Sequence, residues 1–193
     1  EISLIRPVNL QAEILGKNTI DNIQAGIYYS ALGLMKEVIF RLAQDSVFKN
    51  TAIHEDIYAV LFDANGDDFK DLLVVSGGNE FKKGTPLQPK LYINHQGKFK
   101  RDTIQFTTIE INASKVRAID IDNDGDKDIS IVSNILPWQF GKTPTHYIFE
   151  NDGLGNFTNV TQKFGLDFTE SGNIRDIVWK DLNNDGLLDA IVA

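Results

Sequence analysis

Cysteine is absent from this 193-residue sequence. That excludes disulfides, thiolate metal sites and cysteine nucleophiles, but it leaves the compartment open. No apolar run reaches the roughly 18 residues needed to cross a bilayer, so the chain is not expected to span a membrane. No basic patch stands against the net charge of −8, so a nucleic-acid partner is not expected either. No basic start leads into an apolar stretch with a small-residue cleavage site, and no signal peptide is expected within the sequence. It opens at Glu1 without Met and closes inside the strand-like run 189–193, as a segment of a longer polypeptide does. His54, His95 and His146 share no metalloprotease or triad-like spacing and read as surface or structural residues. What remains is 42% hydrophobic, the composition of a globular protein long enough for one well-buried domain.

The acidic residues are not spread evenly. Twelve of the 27 fall in three nine-residue windows, DANGDDFKD (63–71), DIDNDGDKD (120–128) and DLNNDGLLD (181–189). Carboxylates packed this densely repel one another unless a cation offsets them. Each window lies between β-type runs: 57–62 and 72–77, 115–119 and 129–134, 174–180 and 190–193. The windows start 57 and then 61 residues apart. Between them lie two hairpin-like stretches, 90–103 and 146–161, in which an aromatic-rich run, a polar glycine turn and a phenylalanine (Phe99 or Phe157) recur. The repeat therefore holds about four short strands, the sheet content of one propeller blade. One such sheet cannot bury both faces, whereas stacked neighbours can. The expected fold is mainly β, a partial β-propeller of about three blades of four-stranded antiparallel sheet over residues 45–193. An N-terminal helical segment is expected over residues 1–44, where apolar residues from Ile23 to Leu42 fall near helical spacing.

Positions 1, 3, 5 and 9 of every window are Asp or Asn: Asp63, Asn65, Asp67 and Asp71; Asp120, Asp122, Asp124 and Asp128; Asp181, Asn183, Asp185 and Asp189. Position 7 varies among Phe69, Asp126 and Leu187, as expected of a residue that offers only its backbone carbonyl. An all-oxygen set of this size suits Ca²⁺ better than Zn²⁺, or than Mg²⁺ with its strict octahedron. The opening spacing is that of an EF-hand, but position 12 is Val74, Ile131 or Val192 inside a β-type run, so the ninth residue must supply the late carboxylate. Gly125 and Gly186 provide the sharp turn at position 6; Asp68 stands there in the first window. Isolated Asp-rich turns are common, but three in register at four fixed positions are not. The three sets carry ten carboxylates, and three divalent ions would bring the net charge from −8 to −2. Trp138 and Trp179 read by default as core residues.

These windows and the runs between them resemble the FG-GAP/VCBS repeats of integrin α-subunits and bacterial surface proteins, over roughly residues 45–193. The resemblance implies a β-propeller, typically seven-bladed, with calcium in an inter-strand loop. It also implies an extracellular, periplasmic or cell-surface setting in a bacterium, and roles in adhesion, recognition or scaffolding. A protein or carbohydrate ligand is then the expected partner, and the remaining blades are expected outside this chain. Residues 14–42, with Gly16-Lys17-Asn18-Thr19, separately resemble the C-terminal helix region of type III pantothenate kinases. The segments that carry that family's chemistry lie earlier and are not present here, so no kinase activity is expected. The sequence thus predicts a calcium-binding module rather than an enzyme. The alternative is a propeller-based surface lyase or hydrolase with catalytic residues outside the loops.

Overall fold

A computed structural model describes residues 54–139, 141–169 and 171–193. The expected helical segment 1–44 and the kinase-like stretch 14–42 lie outside them. Ten strands follow in chain order: β1 (Asp56–Phe62), β2 (Asp71–Ser76), β3 (Lys90–His95), β4 (Lys98–Arg101), β5 (Ala113–Ile119), β6 (Asp128–Ser133), β7 (Tyr147–Asn151), β8 (Phe157–Asn159), β9 (Ile177–Lys180) and β10 (Asp189–Val192). They form two four-stranded antiparallel meanders, β1-β2-β3-β4 and β5-β6-β7-β8, and the hairpin β9-β10. The fold is therefore mainly β with repeated four-stranded sheets. The third repeat differs from the expectation of a four-stranded sheet. Among the described residues it contributes two strands, β9 and β10.

Strand periodicity explains how the sheets stack. Every residue of β6 is buried. Successive side chains point to opposite faces, so Ile129 and Ile131 join one apolar cluster while Val132 joins another. The first cluster fills the space between the two meanders, with Leu73, Val75 and Leu91 on one side and Val116 and Phe149 on the other. Phe106, from the link between β4 and β5, seals it edge-on against Phe149, with ring centroids 4.9 Å apart. The second cluster lies between the other face of the β5–β8 sheet and the β9-β10 hairpin, with Ile148, Ile177 and Trp179 at its centre. Trp179 donates from Nε1 to Ser130 Oγ at 3.0 Å, which satisfies the one polar atom of a buried indole. The middle sheet is thus covered on both faces. Truncation of a fully buried residue such as Ile131 is worth about 2–5 kcal/mol.

The first strands of the three repeats approach one another, β1 against β5 and β5 against β9. Polar side chains mark these approaches. Lys115 Nζ lies 4.1 Å from the centroid of the Tyr58 ring. Arg117 Nη2 donates to Asp176 Oδ1 at 2.7 Å, and Arg117 Nε to the Ile177 carbonyl at 2.9 Å.

Candidate metal centre

Each acidic window is the loop of a β-hairpin. The last residue of the first strand pairs with the ninth residue of the window, which opens the second strand: Phe62 with Asp71, Ile119 with Asp128 and Lys180 with Asp189. Between these pairs the backbone takes the left-handed region twice, at positions 4 and 6, in all three loops. The residues at position 4 are Gly66 (φ 74°), Asn123 (63°) and Asn184 (60°); those at position 6 are Asp68 (68°), Gly125 (104°) and Gly186 (87°). Loop 1 therefore follows the same path as the others. It places glycine at position 4 and a tolerant Asp at position 6, where loops 2 and 3 use Asn and then Gly.

The side chains repeat as closely as the backbone. The position-3 Oδ1 accepts the N–H of position 5 in every loop, at 3.3, 3.2 and 3.0 Å. The position-5 Oδ1 accepts the N–H of position 7, at 2.9, 3.1 and 2.8 Å. The position-1 carboxylate accepts the N–H of position 6, at 2.8, 3.1 and 3.0 Å. The ninth carboxylate accepts the N–H of position 2: Ala64 at 2.8 Å, Ile121 at 2.7 Å and Leu182 at 2.9 Å. These bonds curl each loop in the same way, and in loop 2 three acidic side chains converge. One oxygen from each of Asp120, Asp122 and Asp124 lies within 4.8 Å of the others, an arrangement able to hold a metal ion. Loops 1 and 3 carry Asn65 and Asn183 at the third position, whose Nδ2 groups donate to Asp67 Oδ2 at 3.2 Å and Asp185 Oδ2 at 2.9 Å.

One oxygen of loop 2 tests the fit to a cation. Asp120 Oδ1 is buried without a hydrogen-bond donor. A carboxylate oxygen in that position is costly unless a donor or a positive charge reaches it. Burial first, and the neighbouring Asp124, Asp128 and Asp122 after it, push the Asp126 carboxyl up to about 6. Burial also raises Asp122. The set fits a hard divalent cation, whose charge would offset both effects.

The ninth position has a second role. Asp71 and Asp128 are fully buried. Besides the position-2 N–H, each accepts an N–H from the third strand of its sheet: Asn94 at 2.7 Å and Asn151 at 3.0 Å. Burial raises both carboxyl groups, and these backbone donors partly oppose it. Among the described residues, Asp189 accepts one such bond, from Leu182. The side chains of Phe69 and Leu187, at position 7, are exposed, whereas Asp126 turns into the space beside Gly153. A cleft of about 340 Å³ lies there, between loops 1 and 2, and Asp63, Gly66, Asp126 and Gly153 help to line it.

Sequence reasoning passed over Asn94 and Asn151. Both clamp their loops: Asn94 Nδ2 donates to the Lys70 carbonyl at 2.9 Å and Asn151 Nδ2 to the Lys127 carbonyl at 3.2 Å, each at position 8. A signal existed, since each lies 31 residues after the first aspartate of its window. Among the histidines, His146 is fully buried; its ring bonds to the Ser133 N–H and the Gly172 carbonyl, a structural role.

No curated protein matches the chain. The model for the FG-GAP-like repeat matches residues 63–131 and 141–192, well over half of the sequence and spanning all three loops, so the chain belongs to the FG-GAP-like repeat family.

Proposed function

We propose that this chain is a segment of a calcium-stabilised β-propeller of the VCBS type, acting as a binding, adhesion or scaffold module at a bacterial cell surface or in the periplasm. The observation that carries the calcium reading is the convergence of Asp120, Asp122 and Asp124 beside a buried Asp120 Oδ1 that has no donor. Asp120, Asp122, Asp124, Asp128 and the backbone carbonyl of Asp126 would hold the ion in loop 2. The equivalent sets are Asp63, Asn65, Asp67, Phe69 and Asp71 in loop 1, and Asp181, Asn183, Asp185, Leu187 and Asp189 in loop 3. The recurring left-handed residues at positions 4 and 6 support one ligand geometry for all three.

The propeller reading is supported by the radial order of the strands. Successive sheets approach through their first strands, as blades do around an axis, and the further blades would lie outside this chain. Calcium is structural in this reading. It pins hairpin loops at one end of the sheets and couples ion binding to folding. Catalysis is not part of it. Among the described residues, buried Lys90 pairs with Asp56 and buried His146 bonds to Ser133 and Gly172.

Thermal melting in saturating Ca²⁺ and then in excess chelator tests the reading. At a hundred times the dissociation constant, one site adds about 2.7 kcal/mol, so the melting temperature should fall by several degrees on chelation. An unchanged melting temperature, together with no terbium luminescence from the loops, would refute it.

A further inference from the structure

The strand ends opposite the aspartate loops carry two adjoining cavities. The larger, about 410 Å³, is lined by residues that include Asn79, Asn112, Asn134 and Arg175. Its neighbour, about 240 Å³, is lined by Asn79, Ile135, Leu136 and Trp138. Asn79 and Ile135 belong to both, so the two form one continuous polar and apolar surface.

Three features distinguish this surface. Trp138 is 67% exposed, although core packing is the default for its type. Its backbone sits at φ 63°, a conformation unfavourable for a bulky side chain, and its Nε1 donates to the Asn79 carbonyl at 2.9 Å. The indole's only donor is thereby used; Lys82 Nζ lies over the ring, 5.6 Å from its centroid, and the ring face that Lys82 does not cover is what remains for a ligand. Asn112 is 4% exposed; its Nδ2 donates to the Ile135 carbonyl at 3.0 Å, but its Oδ1 is buried with no donor. Gly77 packs closely beside it, since a Cβ there would stand 2.7 Å from the Ala113 carbonyl oxygen, 3.0 Å from Ile57 Cδ1 and 3.2 Å from Asn112 Oδ1. Arg175 is exposed, and among the described residues its guanidinium has no acceptor, whereas nearby Lys115 and Arg117 share Asp176.

We propose that this surface binds a saccharide unit carrying a carboxylate, of the uronic acid kind. A pyranose ring has one apolar C–H face, which stacks on an exposed indole; hydroxyl groups, which can bond to the amides of Asn79 and Asn134 that line the larger cavity; and here an acid group, which pairs in bidentate fashion with a free guanidinium. The inference rests on the reading of the chain as a binding module, but not on calcium in the loops at the other end of the sheets.

Isothermal titration of the full 193-residue chain with cellobiouronic acid tests it, with cellobiose as the neutral control. The two sugars differ only in the carboxyl group. Saturable binding of the acid is expected, about tenfold weaker for cellobiose and for Arg175→Gln, since losing a charge-assisted pair is worth about one such step. Trp138→Ala should weaken binding by a similar factor. The two replaced side chains are exposed, so circular dichroism should show both variants folded. Fluorescence gives a second readout, because the only other tryptophan, Trp179, is 8% exposed and quenching by the sugar reports on Trp138. No binding of the acid at millimolar concentration, or equal affinity in the wild type and both variants, would overturn the proposal. Sugar binding by a chain whose melting ignores chelator would leave the proposal standing and remove only the calcium reading. Chelator-sensitive melting without sugar binding would do the reverse.

Discussion

Asn151 Nδ2 donates to the Ala64 carbonyl at 2.9 Å, a buried hydrogen bond between residues 87 positions apart in sequence. The same amide reaches the Lys127 carbonyl at 3.2 Å, and its backbone N–H is held by Asp128 Oδ1 at 3.0 Å. One side chain on β7 therefore ties loop 1 of the first sheet to loop 2 of the second. Asn94, its counterpart in the first sheet, reaches its own loop through the Lys70 carbonyl and accepts the Gly97 N–H of the following turn at 2.7 Å, with no bond to a second loop among the described residues.

That difference predicts unequal costs for the same substitution. Asn151→Ala leaves two loop carbonyls without their donor, one of them in a buried bond. It should destabilise the fold by about 2–3 kcal/mol. Asn94→Ala breaks two bonds, to the Lys70 carbonyl and from the Gly97 N–H, but both are exposed, and it should cost about 1 kcal/mol. Urea unfolding of the two variants checks the ranking; equal midpoints would mean that the bond between loops contributes little.

The two carboxylate roles should separate by mutation. Asp128→Asn replaces one acceptor oxygen by a donor that faces either the Ile121 or the Asn151 N–H, both buried. A loss of about 2–4 kcal/mol is expected, with or without calcium. Asp122 accepts a single exposed bond from the Asp124 N–H, so Asp122→Asn should leave calcium-free stability nearly unchanged and weaken calcium binding about tenfold or more. Melting curves in calcium and in chelator distinguish the two.

Asp126 offers a pH-dependent test. Its carboxyl is raised from 3.8 to about 6 in the folded chain. The folded state therefore holds the ionised form at a disadvantage above that range, while below 3.8 both folded and unfolded states are protonated. In chelator, Asp126→Asn should raise the melting temperature at pH 7, and the gain should vanish as the pH falls towards 3.8. Position 7 is Phe69 or Leu187 in the other loops, so no side-chain ligand is lost.

His146 should act with the opposite dependence. Burial lowers its imidazole below the usual 6.5, partly opposed by the Gly172 carbonyl. The unfolded chain takes up the proton first as the pH falls. The stability linked to the neutral ring is therefore complete above about 6.5 and is lost below it, towards the folded value. The stability difference between the wild type and His146→Gln should shrink from pH 7.5 to pH 5, read by urea unfolding at each pH.

Much of the fold is legible because local chemistry and spacing carry it. Alternation in DISIVS and its neighbours marks the strands, and the Asp and Asn offsets mark the hairpin loops, whose paired closure at Phe62 and Asp71 follows from the sequence lengths. Loop 1 looked irregular by residue type, yet Gly66 and Asp68 satisfy the same two left-handed positions as Asn123 and Gly125, because Gly and Asx exchange there at small steric cost. The two tryptophans were indistinguishable by type. Trp179 fell on the inner face of β9, while Trp138 lies in the turn after β6, with its ring to solvent.

The amino-acid sequence alone determined the strands, their repeat and the acidic offsets of the three loops, since these depend on residues a few positions apart and on the two-residue period of a strand. Only the tertiary structure decided which oxygens converge, which aspartates are consumed by backbone N–H groups, and that Asn151 spans two loops. Those outcomes depend on how neighbouring sheets stack, and they join residues separated by tens of positions, with no local pattern to announce them.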